Sequence, residues 1–98
     1  MREEQFRDYL LNLNLGEKGV ATRMTKGRKA EDILGKSLDS VVADDQAMYD
    51  ALVQLQAHEN PRNNPMQNVV RHYYRFCNGG RTFPSKKDYE REHGLSTF

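Results

Sequence analysis

Residues 65–78, PMQNVVRHYYRFCN, decide the fold of this 98-residue chain. Apolar residues recur there at the three- and four-residue spacing of one buried helical face, and they are Met66, Val69, Val70, Tyr73, Phe76 and Cys77. Asn64 and Pro65 precede this stripe in the order preferred at a helix start, and Gly79-Gly80 follow it. The pattern predicts a central helix over about residues 65–78.

Three more helices are predicted before the central one, over about residues 3–13, residues 18–34, and from an N-cap at Asp44 or Asp45 to about Ala57. The apolar residues that share their inward faces are Phe6, Tyr9, Leu10, Leu13, Val20, Met24, Ile33, Leu34, Met48, Ala51, Leu52 and Leu55. In each predicted helix the remaining positions are mostly polar or charged. Each helix therefore has one face to bury.

The connections are short and contain helix-breaking residues. A small apolar cluster within residues 38–42 is interpreted as an anchor for one connection, and the polar residues 58–64 form a loop. After the central helix, Ser85 and Asp88 match the S-x-x-D capping arrangement and predict a short helix over about residues 86–93. No segment shows the strict two-residue alternation of a half-buried strand.

The predicted fold is therefore all-α, a small bundle of four main helices plus a short C-terminal helix. Residues 1–80 are predicted to form one helical core domain, because 98 residues do not fill two cores. Residues 81–98 are predicted to be an extension whose short helix packs on the core or on a partner. The residues predicted to share the core are Phe6, Leu10, Met24, Leu34, Leu52, Leu55, Val69, Tyr73 and Phe76.

Composition predicts a soluble cytoplasmic protein. No apolar run approaches the ~18–20 residues of a membrane span, and mean hydropathy is −0.90. A single cysteine, Cys77, makes no intrachain disulfide and suits a reducing compartment. Its apolar neighbours predict that this thiol is buried and inert.

Charge is distributed unevenly along the chain, although the net charge is only +1. Residues 18–36 contain six Lys or Arg and two acids, and residues 61–87 contain six Lys or Arg and no acid. Residues 37–60 contain five acids and no Lys or Arg. Two basic segments that meet in the fold would attract a polyanion, because cations neutralise phosphates and release counterions.

The residues predicted to contact the phosphate backbone of double-stranded DNA are Lys26, Arg28, Lys29, Arg62, Arg71, Arg75 and Arg81. His72, Tyr73 and Tyr74 lie beside two of these arginines and are candidate stacking groups. The opposing interpretation is that Arg71 and Arg75 pair with the acidic third helix and that the other cations form an ordinary solvated face.

Other chemistry is weakly supported by the sequence, so no cofactor, no metal and no enzymatic activity are predicted. His58, His72, His93 and Cys77 are not spaced to converge on a metal ion. Phosphate-binding loops of the GxxxxGK[ST] form are absent. An enzyme would need His58 and His72 to converge with acids of the third helix.

The order of elements resembles the N-terminal core-binding domain of tyrosine recombinases, the SAM-like helical domain of phage integrases, over residues 4–79. The stretches that carry the resemblance are FRDYL at 6–10, ATRMTK at 21–26, LDSVV at 38–42 and VVRHYYRF at 69–76. These match an aromatic-Leu opening helix, a basic helix, an apolar link with an acid and a closing aromatic helix. The resemblance implies a module that grips DNA.

Two departures from the family pattern limit what the resemblance implies. The 98 residues do not include the recombinase catalytic domain, and Met24-x-x-Gly27 replaces the usual middle-helix Tyr-x-x-x-Leu/Phe pattern. The implied function is therefore DNA binding without chemistry of its own.

The alternative is a small phage or mobile-element protein that binds and modulates a host protein complex. Its contact surface would be the acidic segment 37–60 and the apolar groups of the C-terminal extension, Phe83, Tyr89, Leu95 and Phe98.

Overall fold

The structure is a computed structural model and describes residues 1–94. Six helices lie within these residues: α1 (Glu3–Leu11), α2 (Gly16–Leu34), α3 (Leu38–Val42), α4 (Asp45–Gln56), α5 (Pro65–Cys77) and α6 (Lys86–Glu92). The described part of the chain contains no named strand, so the all-α prediction is confirmed. None of these helices is long and apolar enough to cross a membrane.

Helix α5 lies at the centre of the bundle and contacts α1, α2, α3 and α4, with α2 as its main neighbour. Most of its apolar residues are buried in one core shared by all six helices. Val69 lies beside Gly27, and His72 lies beside Arg23, so α2 and α5 run antiparallel. Gly27 is buried, and Met1 packs so closely against it that a Cβ there would lie only 3.1 Å from the Met1 Sδ atom.

A polar network ties residue 1 to the core. The amino group of Met1 lies 2.9 Å from a Glu31 carboxylate oxygen and 3.3 Å from one of Asp39. The Tyr73 hydroxyl accepts a hydrogen bond from the Arg2 amide and donates one to Asp39. Burial raises the pKa of Asp39, but the hydrogen bonds from Tyr73 and the Met1 amino group outweigh it and lower that pKa.

Most helix ends agree with the sequence prediction. The Asp44 carboxylate accepts a hydrogen bond from the amide of Ala47, and the Ser85 hydroxyl accepts one from the amide of Asp88. Asn64 is the N-cap of α5 and Pro65 its first residue, although the Asn64 side chain makes no capping bond. The interpretation of residues 38–42 as a plain connection was incomplete, because they form α3, capped by the Ser37 hydroxyl.

Three residues lie differently from their predicted places. Phe76 is only partly buried at the edge of the core, where the Arg2 guanidinium covers its ring. Leu13 is 38% exposed because α1 ends at Leu11 and the chain turns through Asn14, whose φ is 61°. Cys77 is also only partly buried, and its sulfur accepts a hydrogen bond from Arg2 at 2.9 Å.

The segment after α5 folds back onto the bundle. Phe83 and Tyr89 are 2% and 3% exposed, and their rings lie with centroids 5.4 Å apart. Tyr74 packs edge-on against Phe83, and Tyr49 of α4 stacks on Tyr89. Helix α6 is therefore held to α4 and α5 by aromatic contacts.

Hydrogen bonds from Arg71 of α5 hold the segment that follows α5. One of its guanidinium nitrogens donates to the carbonyl oxygens of Phe83 at 3.0 Å and Pro84 at 3.2 Å. Burial lowers the pKa of the Arg71 guanidinium, which agrees with a structural position away from bulk water.

Replacing Arg71 by Ala is expected to loosen residues 83–92 while the rest of the core stays folded. The substitution leaves two carbonyl groups without their donor and removes the guanidinium packed near the Phe83 ring. Amide hydrogen exchange measures the effect. Relative to the unaltered protein, the exchange rate is expected to increase in α6 and to stay the same in α2. Arg75→Ala, one turn further along α5, is the matched control; equal exchange of α6 in both variants would contradict the assignment.

Candidate nucleic-acid interface

Basic side chains from two helices line the junction of α2 and α5. Arg23 and Lys26 of α2 are partly buried beside α5, and Asn68, His72 and Arg75 of α5 lie along the same edge. We call this group of five residues the basic seam. Helical geometry explains the alignment, because residues three or four apart share one helix face.

The cations of the basic seam form no ion pair within the described part of the chain. Among residues 1–94, no carboxylate pairs with Arg23, Lys26, His72 or Arg75. Arg23 uses one guanidinium nitrogen to donate to the Gly19 carbonyl at 3.1 Å, within its own helix. Because Arg23 and Lys26 are partly exposed and Arg75 is exposed, an anionic ligand can reach their remaining donors.

The charged groups that act on His72 are both cations, Arg23 and Arg75. Burial lowers the pKa of its imidazole, and the charges of Arg23 and Arg75 lower that pKa further. This lowering of the pKa favours the neutral imidazole, so the positive charge of the seam comes from Arg23, Lys26 and Arg75.

A cavity of about 190 Å³ opens at one end of the seam, between the middle of α2 and the first turns of α5. Its lining residues are Thr22, Arg23, Lys26, Pro65 and Asn68. Two cations, a hydroxyl and an amide thus line one small space, and no carboxylate of residues 1–94 lines it.

Three of the arginines predicted to contact DNA form bonds with other groups of the protein. Arg28 forms a two-nitrogen contact with Glu3 of α1, at 2.6 and 3.0 Å. Arg81 lies 3.1 Å from an Asp45 carboxylate oxygen and over the Tyr74 ring. Arg71 is bonded to the backbone of residues 83 and 84. Arg71 is half-buried, and Arg28 and Arg81 are exposed but paired with carboxylates, so all three are less available to a ligand than the seam cations.

The remaining predicted contacts are on the surface. Lys29 is exposed one turn beyond Lys26 on α2 and extends the basic seam, whereas Arg62 is exposed on the loop before α5. The opposing interpretation paired Arg71 and Arg75 with the acidic third helix, which is α4 in the structure. Among residues 1–94 neither arginine pairs with an acid of α4, and Arg81 is the cation that does.

Neither Tyr73 nor Tyr74 is placed to stack on a base. Both are 0% exposed, with their hydroxyl groups bonded to Asp39 and Asp45. Only His72, of the three predicted stacking groups, lies on the seam and is partly exposed.

Of the four apolar residues proposed to contact a protein partner, two lie in the core and two lie outside the described residues. Phe83 and Tyr89 are in the core and do not form an exposed patch in this fold. Leu95 and Phe98 lie outside the described residues. In the acidic segment, Asp44 and Asp50 are exposed, while Asp39 and Asp45 bond to tyrosines of α5.

A larger cavity, of about 320 Å³, lies between α1 and α2 and differs in character. It is lined by Arg7, Leu11, Glu17, Val20 and Ala21, so it combines an apolar wall with one charge of each sign. Within residues 1–94, no three His, Cys, Asp or Glu side chains cluster closely enough to hold a metal ion.

Arg23 and Asn68 lie on the basic seam but are not among the contacts predicted from the sequence. Arg23 is predicted only to lie on the outward face of the second helix and to add to the charge of residues 18–36, and Asn68 is a neutral residue in an apolar-striped helix. The available signal was the three-residue spacing of Arg23 and Lys26, which places both on one face of α2.

Comparison with known proteins gives no match: no protein-family model, curated protein or solved structure is similar to this chain.

Proposed function

We propose that this protein is a non-catalytic module that binds the phosphate backbone of double-stranded DNA through the basic seam. The observation that carries the proposal is the convergence of Arg23, Lys26 and Arg75 on one edge of the bundle without a carboxylate partner among residues 1–94. Exposed cations without internal partners are the groups that phosphates attract.

The dimensions of the seam suit several consecutive phosphates. Asn68 and Arg75 are about 10 Å apart along the axis of α5, at 1.5 Å per residue. One DNA strand rises about 3.4 Å per nucleotide, so this length spans about three nucleotide steps. Lys29 on α2 lengthens the same surface.

The side chains of the seam favour backbone contacts over base reading. Sequence readout in the major groove uses Arg, Asn or Gln side chains presented to base edges, usually from a protruding helix. Here the cations lie along the junction of two packed helices, and Tyr73 and Tyr74 are buried. We therefore expect similar affinity for duplexes of unrelated sequence.

The resemblance of residues 4–79 to the core-binding domain of phage integrases supports the same proposal, because that family grips duplex DNA. A phage or mobile-element origin follows from this resemblance and belongs to the proposal, as does a cytoplasmic location, which composition and the single cysteine predict. The alternative is binding to a host protein complex through the acidic segment. Phe83 and Tyr89 do not support this alternative, because both side chains are buried and cannot contact a partner.

A salt titration of duplex binding tests the proposal. With phosphate contacts from Arg23, Lys26, Lys29 and Arg75, the logarithm of affinity should fall against the logarithm of salt concentration with a slope of about −3 to −4. Fluorescence anisotropy with two duplexes of unrelated sequence gives both the slope and the specificity. No measurable binding at low salt would reject the proposal and favour the protein-partner alternative.

A further inference from the structure

We propose that the cavity between α2 and the first turns of α5 is a phosphate subsite, which seats one backbone phosphate of the bound duplex. This inference rests on the proposed function and adds a fixed anchoring point to it. The cavity is the one bounded by Thr22, Arg23, Lys26, Pro65 and Asn68.

The size of the cavity fits a phosphate group. Its volume of about 190 Å³ equals the space of about six water molecules at ~30 Å³ each. A phosphate has five heavy atoms, so it fits with room for water around the ester oxygens that continue into the DNA strand.

The donors around the cavity fit an anion. Lys26 has three N–H donors, and Arg23 keeps most of its five after bonding to the Gly19 carbonyl. Among residues 1–94 the Asn68 side-chain amide forms no hydrogen bond, unlike the amides of Gln54 and Asn78, so it adds two more donors. The Thr22 hydroxyl donates to the Lys18 carbonyl and keeps its wall of the cavity polar.

The second cavity provides the contrast that identifies the ligand class. It is larger, but Arg7 and Glu17 give it one charge of each sign beside three apolar side chains, so its lining has no net positive charge to attract an anion. The cavity beside Lys26 is smaller, and among residues 1–94 it is lined by two cations and no carboxylate. Charge rather than volume therefore selects it as the phosphate subsite.

Asn68 gives the sharpest test because it is neutral and exposed. Asn68→Ala leaves the charge of the seam unchanged, and Ala has the higher helix propensity, so folding is not endangered. If Asn68 donates to a seated phosphate, the variant should bind duplex DNA about ten-fold more weakly, the effect of losing one hydrogen bond to a charged group. Its salt slope should equal that of the unaltered protein.

The matched control is Gln56→Ala, which removes an exposed amide from the last turn of α4. Anisotropy titrations with one duplex compare the two variants with the unaltered protein. Equal affinity of all three proteins would overturn the subsite and leave the proposed function standing. A ten-fold loss in both variants would also overturn it, whereas absence of binding by the unaltered protein would reject the proposed function itself.

Discussion

Replacing Arg23, Lys26 and Arg75 together by Ala is expected to weaken duplex DNA binding by about 100-fold. Each cation is assigned about 1 kcal/mol, the upper value for an exposed ion pair, and the three together correspond to two factors of ten. The salt slope should become shallower by about 3, because each lost phosphate contact removes about one. The loss should be the same for duplexes of unrelated sequence.

A second triple variant controls for the change in net charge. Arg7, Lys36 and Lys87 are exposed cations on α1, after α2 and on α6. Replacing these three by Ala removes the same charge from other parts of the surface, and we expect a much smaller loss of affinity. If both triple variants bound equally, binding would depend on net charge alone and the basic seam would not be the interface.

Phe6→Ala is expected to lower the free energy of unfolding by about 3–5 kcal/mol. Phe6 is fully buried and its ring meets that of Tyr73 edge-on, with centroids 4.9 Å apart. The variant loses this contact and leaves a cavity where α1 meets α5. Domains of this size have about 5–15 kcal/mol in total, so this loss is a large share of the stability, and urea denaturation followed by circular dichroism should show a markedly lower unfolding midpoint.

Phe76→Ala is the comparison for this prediction. Phe76 lies at the edge of the same aromatic group, partly exposed and covered by Arg2, so its removal should cost less than about 2 kcal/mol. If Phe76→Ala destabilised the protein as much as Phe6→Ala, the core would be centred elsewhere on α5.

Local signals in the sequence predicted the long helices and the caps at Asp44 and Ser85, because spacing and capping involve residues within one or two turns. Helix α3 was missed because its five residues are too few to show a period. The periodicity of α5 predicted that Phe76 points inward. How far the Phe76 ring is buried depends on which side chain covers it at the edge of the core. Arg2 covers it, 74 positions earlier in the chain.

The candidate site was predicted only in part, for the same reason. The sequence identified two basic segments, and the structure brings Lys26 and Arg75 together at the junction of α2 and α5. Arg28, Arg71 and Arg81 are held by groups 25, 12 and 36 positions away. Such partners follow from the packing of helices, which residue spacing alone does not determine.

The central claim, that the basic seam is the DNA interface, is tested most directly by amide chemical shifts. Isotope-labelled protein is titrated with a short duplex of arbitrary sequence at low salt. We predict that the largest shifts occur at residues 22–29 and 68–75, with little change in α3, α4 and α6. Shifts concentrated on α4 and α6, or spread evenly over the surface cations, would contradict this interface.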